Sequence, residues 1–255
     1  MNIEATFTPA EFELLRHQDL SDAACVVFDV LRATSTIVTA LARGAESVLP
    51  VATIEEALRC RVAVAKVLLA GERNGLRITA ALSGGVDFDL GNSPREYTAA
   101  IVRGRRIATT TTNGTRAFAA CRGARHVFAA SFLNLDGTAR HLAKLNPARV
   151  ILVCAGTGEK EAFEDNLGAG VLCQRLLALG RRIELTDSAN FASNLFSIHA
   201  DDLEAAMQKS SNACRLLAIP ELSDDVAFCL SENLYPIVVG AEADGRLRRI
   251  GAEQV

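Results

Sequence analysis

Short runs of apolar and β-branched residues alternate along the chain with stretches of helical periodicity. Ala24–Phe28, Arg106–Thr112, His126–Ala130, Arg149–Cys154, Arg182–Leu185 and Pro236–Val239 are continuous runs, and another lies near Val67–Leu69. Continuous rather than alternating runs predict strands covered on both faces, as in a parallel sheet. Between them, Thr8-Pro9-Ala10-Glu11 is a capping box with Pro at the first helical position. Thr53-Ile54-Glu55-Glu56 opens a second helix, expected to reach about Val67, and Ser93-Pro94-Arg95-Glu96 has the form of a third box. Asp165 to Leu179 carries apolar residues at helical spacing and stops at Gly180. This alternation predicts an α/β protein: a three-layer α/β/α unit with a largely parallel sheet. Residues 1–255 read as a single unit without linker or repeat, with 188–223 as a helical cap or subdomain. The tail 242–255 is expected to form an edge hairpin turning at Ala243-Asp244-Gly245.

Composition narrows the function. At 255 residues the chain can bury a core without staples, and 49% apolar with 22% charged residues excludes disorder. Aromatics are 5% and Trp is absent, which argues against a stacking platform for single strands. The net charge of −3 and the lack of a basic stripe argue against nucleic acid altogether. The basic residues are nearly all Arg, which captures oxyanions bidentately. Seven scattered Cys without a C-x-x-C pair predict buried reduced thiols rather than a zinc or redox site. Met-Asn-Ile-Glu lacks a signal-peptide start and no apolar run approaches a membrane span, so a cytoplasmic protein is expected. A homo-oligomer is compatible with the chain.

Ligands of open α/β sheets bind beyond the carboxyl ends of the strands. Asp29-Val30-Leu31-Arg32-Ala33-Thr34-Ser35-Thr36 follows the first run and joins an acid, an arginine and hydroxyls at a helix start. Ala70-Gly71-Glu72-Arg73-Asn74-Gly75 brackets an acid, a base and an amide with glycines; it is neither a P-loop nor a dinucleotide fingerprint. Phe88-Asp89-Leu90-Gly91-Asn92-Ser93-Pro94 adds another acid and amide. Thr109 to Thr115 would give a neutral anion cradle through Thr111, Asn113, Gly114 and Thr115; the helical pattern that follows argues against an Asn113-Gly114 hairpin. Cys154-Ala155-Gly156-Thr157-Gly158 leads to Glu164-Asp165 at a helix start. Asp29, Glu72, Asp89, Glu164 and Asp165 with arginines and Gly-rich turns point to a metal-assisted phosphoryl site. Leu31 stands where haloacid dehalogenases need a second acid, and His17, His126, His141 and His199 fall outside these segments. A non-catalytic anion-binding protein or a phosphotransferase would share the arginines, but the clustered acids favour a metal enzyme.

These segments, in this order over residues 25–170, resemble the 2-phosphosulfolactate phosphatase family of coenzyme M biosynthesis. The resemblance implies an α/β hydrolase peculiar to that family, using Mg²⁺ to remove phosphate from 2-phospho-3-sulfolactate or another small phosphorylated acid. Asp29, Arg32, Glu72, Arg73 and Asp165 are the catalytic candidates. Thr34, Ser35, Asn74, Asn92, Thr111, Asn113, Gly114 and Thr115 are the substrate-binding candidates. The metal candidates are Asp29, Glu72, Asp89, Glu164 and Asp165, and Arg32 and Arg73 are expected to divide two substrate anions. The chain departs from the family pattern at Gly168, where Cys is expected, and in a longer Ile78–Asp87 stretch.

Overall fold

The apolar runs become the strands β1 (Asn2–Thr6), β2 (Ala23–Phe28), β3 (Ser47–Pro50), β4 (Leu68–Arg73), β5 (Leu76–Arg77), β6 (Arg106–Thr110), β7 (His126–Ala130), β8 (Arg149–Cys154), β9 (Glu184–Leu185), β10 (Val238–Ala241) and β11 (Leu247–Ile250). A computed structural model describes residues 1–64, 66–180 and 182–251. The strands form one sheet in the order β5-β4-β6-β3-β11-β10-β7-β2-β8-β1-β9. The helices are α1 (Pro9–Glu13), α2 (Ala33–Ala42), α3 (Ile54–Ala63), α4 (Ala80–Ser83), α5 (Ala99–Val102), α6 (Gly114–Ala120), α7 (Leu135–Leu145), α8 (Phe163–Ala178), α9 (Asp187–His199), α10 (Leu203–Met207), α11 (Ser211–Leu217) and α12 (Ser223–Cys229).

Strand β2 is buried at every position and feeds two cores. Ala24, Val26 and Phe28 pack with apolar residues of α7, α8 and α9 on one face, while Cys25 and Val27 pack with those of α1, α2 and α6 on the other. Helices therefore cover both faces, and the architecture is the predicted three-layer α/β/α. Among the described residues no helix is long and apolar enough to cross a membrane.

The sheet is mixed in an informative way. Strands β7, β2, β8, β1 and β9 form one parallel block and β4, β6 and β3 another. The β10–β11 hairpin joins them through antiparallel pairings β7–β10, β10–β11 and β11–β3. Three reversals leave the two blocks running in opposite directions. The hairpin, expected at an edge, lies inside the sheet. Its turn is the predicted one, with Gly245 at φ +80° donating its N–H to Glu242 O; residues 252–255 of the expected tail lie outside the described ones. The structure reshapes four further expectations. Helix α3 stops at Ala63 and β6 at Thr110, and the Arg182–Leu185 run shortens to Glu184–Leu185. The Ser93 box does not close: Pro94–Glu96 is a single 3₁₀ turn, the Ser93 hydroxyl donates to Asp225, and Glu96 accepts the Gly91 N–H.

Candidate active site

Asp29 directly follows β2, four residues before α2 begins at Ala33. Its Oδ1 accepts the Ala33 N–H at 3.0 Å, and its own N–H donates to Thr34 Oγ1 at 3.1 Å. Gly114 opens α6 beside it: a Cβ there would lie 2.6 Å from Asp29 Oδ2 and 2.9 Å from Ala33 Cβ. Only glycine lets the start of α6 approach this carboxylate. Glu72, near the end of β4, is fixed by three donors. Oε1 accepts from Thr112 N–H at 3.0 Å and its hydroxyl at 2.9 Å, and Oε2 accepts the Gly75 N–H at 2.7 Å. Burial pushes Asp29 up to about 6; the Ala33 N–H opposes the shift, and the charges of Glu72 and Glu164 add to it.

Asp29 and Glu72 face a common cleft of about 280 Å³. Of the predicted residues, Arg32, Asn74, Asn92, Thr111 and Asn113 also line it. The segments after β2, β4, β6 and β8 thus converge, although not along one flat sheet edge. Neighbouring strands rotate by roughly 20–25°. At that rate the five steps from β6 to β2 accumulate about 100–125°, a rotation that turns the carboxyl ends of oppositely running blocks towards each other.

Several predicted residues are placed elsewhere. Asp89 accepts the Leu69 N–H at 2.7 Å and pairs with Arg61, away from the cleft wall. Arg73 turns aside to donate to Thr110 O, Thr110 Oγ1 and Glu72 O. The Ser35 hydroxyl is fully buried on Val30 O, Thr34 caps Asp29, and Thr115 bonds back to Thr111 O. The acids at the start of α8 stand behind the wall. Asp165 fastens two turns together, taking the Val30 N–H at 2.7 Å and the Gly156 N–H at 3.1 Å. Burial, with Glu164 and Asp29 nearby, pushes its carboxyl well above the usual range. Glu164 accepts from Ser210 Oγ and Asn212 Nδ2, each at 2.7 Å, and so pins the start of α11.

Arg32 is 3% exposed. Its Nη1 is 2.7 Å from Asp225 Oδ2, its Nη2 donates to Gly75 O at 2.6 Å, and Ser93 Oγ donates to Asp225 Oδ1 at 2.7 Å. Asp225, Thr157, Asn212 and Arg215 are site residues that sequence reasoning missed; the last three line the cleft. Thr157 sat in a segment already singled out. The others belong to helices of the 188–223 region and its continuation, where no strand end points to them.

Among the described residues no group of three His, Cys, Asp or Glu side chains is arranged as a metal cage. The donor set nevertheless suits Mg²⁺, which takes one or two carboxylates and completes its shell with water and phosphate oxygens. Asp29 and Glu72 are the carboxylates at the cleft. Thr111 Oγ1 and Asn113 Oδ1 are buried oxygens without partners among the described residues. Asn113 Nδ2 donates to Ala155 O and Gly158 O, both at 3.0 Å, which fixes Oδ1 as the free acceptor.

A family model described as 2-phosphosulpholactate phosphatase matches residues 10–243. The chain belongs to the 2-phosphosulpholactate phosphatase family. It is 43% identical over 213 residues to a probable 2-phosphosulfolactate phosphatase of Thermotoga petrophila, covering 84% of this chain and 86% of that protein. A protein of the same description from Carboxydothermus hydrogenoformans is 37% identical over 248 residues, 97% of this chain and 96% of its own. One from Deinococcus radiodurans is 42% identical over 231 residues, covering 89% and 92%. Both departures from the expected pattern of 2-phosphosulpholactate phosphatases lie off the cleft. A Cβ at Gly168 would meet the Phe28 ring at 3.0 Å and Val30 at 3.3 Å, so a side chain there enters the packing between α8 and β2. The Ile78–Asp87 stretch folds into α4, with Asp87 Oδ1 accepting the Ala80 N–H at 2.7 Å, and adds no residue to the cleft lining.

Proposed function

We propose that this chain is a Mg²⁺-dependent phosphatase that hydrolyses 2-phospho-3-sulfolactate to 3-sulfolactate and phosphate, acting in the cytoplasm and in coenzyme M biosynthesis. The observation that carries the reading is the pair Asp29 and Glu72 on one cleft, close enough for Glu72 to raise the Asp29 pKa. Two carboxylates facing one cleft repel an anion unless a cation lies between them. Asp29 and Glu72 would hold Mg²⁺, with Thr111 and Asn113 offering neutral oxygens. When bound, the ion supplies charge neutralisation and polarisation of the phosphoryl oxygens. The chain's own residues orient the ester. Glu72 is immobilised by Thr112 and Gly75, Asp29 by Ala33, and Arg32 by Asp225, so charge developing on the phosphoryl group meets groups already in place.

The test is release of inorganic phosphate from 2-phosphosulfolactate by the purified chain with Mg²⁺ and after chelation. Release should fall at least about a hundredfold on chelation, the scale of losing a principal electrostatic group, and return with added Mg²⁺. Release indifferent to the chelator overturns the metal assignment. No release under either condition overturns the phosphatase reading in favour of an anion-binding protein.

A further inference from the structure

The cleft holds two arginines in opposite electrostatic conditions. Arg32 is buried, its charge is compensated by fully buried Asp225 at 2.7 Å, and its Nη2 is used on Gly75 O. Arg215 is exposed at the same cleft. Among the described residues it contacts no carboxylate, and its Nη2 donates to Asn212 Oδ1 at 3.2 Å. Asn212 is itself held by buried Glu164, which also anchors Ser210 at the start of α11. A chain of polar contacts from Glu164 through Asn212 to Arg215 thus aims an uncompensated guanidinium at the cleft.

We propose that Arg215 receives the substrate's second strong anion, the sulfonate on C3, and so selects phosphorylated 2-hydroxy acids that carry one. This rests on the phosphatase reading above. The phosphoryl end belongs with Asp29 and Glu72, where a cation can offset their charge. The carboxylate shares its carbon with the ester oxygen and stays close to that end. The sulfonate lies one methylene farther and must find a positive charge on another element. Arg73 does not offer one, because it is turned onto Thr110. A sulfonate remains ionised at all working pH values, and a planar guanidinium matches two of its oxygens at once. Glu164 is then a positioning residue for Arg215 rather than a metal ligand.

The experiment compares wild type, Arg215→Ala and Arg215→Lys on 2-phosphosulfolactate and on 2-phospholactate, which lacks the sulfonate. Arg215→Ala should raise KM for 2-phosphosulfolactate about tenfold or more, with a smaller fall in kcat, because the contact is made equally in ground and transition states. The KM penalty on 2-phospholactate should be no more than about a third of that, and Lys should rescue only partly. Equal penalties on both substrates, or none on either, overturn the assignment. Calorimetry separates this from the phosphatase reading. Wild type should bind 3-sulfolactate at least about tenfold more tightly than lactate, and Arg215→Ala should erase the difference. If wild type releases no phosphate yet shows that difference, the phosphatase reading fails and the sulfonate assignment stands. If the binding preference is absent or survives in Arg215→Ala, the sulfonate assignment fails whatever the turnover.

Discussion

A carboxylate at the end of a buried strand is costly to ionise, and Asp29 bears that cost while facing the cleft. Asp29→Asn keeps its shape and removes its charge. Turnover should fall by at least about two orders of magnitude, with an unchanged circular dichroism spectrum; near-wild-type turnover would move its role to Glu72. Arg32 illustrates a different residue-scale lesson. Its type and its position after a strand were legible in the sequence. Its condition was not, because its partner Asp225 lies 193 residues away. Replacing Asp225 by Ala leaves a buried guanidinium without its counter-charge. Urea unfolding should show a loss of about 3–5 kcal/mol, as for other buried pairs broken on one side. A loss under about 1 kcal/mol would mean that water or another acid compensates Arg32. Asn113 was legible as a site residue for the wrong atoms: its amide N–H groups hold the Ala155–Gly158 turn, and the oxygen is what remains free.

At the scale of elements, what the sequence made readable were units whose signals are local. β8 spans Arg149–Cys154 and β7 His126–Ala130, as the apolar runs predict, and the Thr8 capping box closes. Three strands escaped notice: β1, whose alternation of Ile3 and Ala5 with polar positions is short, β3, which ends in Pro50, and β5, which is only Leu76–Arg77. The hairpin turn was readable from Asp244-Gly245, but its neighbours in the sheet depend on pairings with β3 and β7 that no local pattern encodes. The α6 start carries a test of its own. Gly114→Ala would place a methyl group against Asp29 Oδ2 and Ala33 Cβ. Because a misplacement of about 1 Å can cost about a hundredfold in rate, turnover should drop about tenfold to a hundredfold. Stability should fall by about 1–3 kcal/mol, the usual cost of overpacking. An unchanged kcat would show that Asp29 tolerates displacement and is not the positioned group.

For the whole molecule, the reversal between the two parallel blocks decides where the site lies, and it also leaves a region far from the cleft with its own chemistry. On the β7–β10–β11 side, His126 stacks near Phe128, and His141 of α7 meets the same ring edge-on at 5.2 Å. His141 is buried, and its Nδ1 has no partner among the described residues. Burial holds both imidazoles below their ordinary 6.5, with Arg125 adding to the effect at His126, and His126 and Lys144 adding to it at His141. Below pH 6.5 the unfolded chain binds protons at these positions that the folded chain does not accept. Their contribution to stability is therefore present above 6.5 and is lost as pH falls through the folded-state values. Asp29 and Asp165, whose pKa values are raised, act with the opposite sign, since their contribution is lost as pH rises. The net slope of the wild type mixes the two, so the informative quantity is a difference between proteins. His141→Phe keeps an aromatic partner for Phe128 and removes one titrating group. The fall in Tm between pH 7 and pH 5 should be smaller in this variant than in wild type, measured calorimetrically in matched buffers. An equal or steeper fall would mean that His141 accepts its proton in the folded state as readily as in the unfolded one, and that its Nδ1 is reached by solvent.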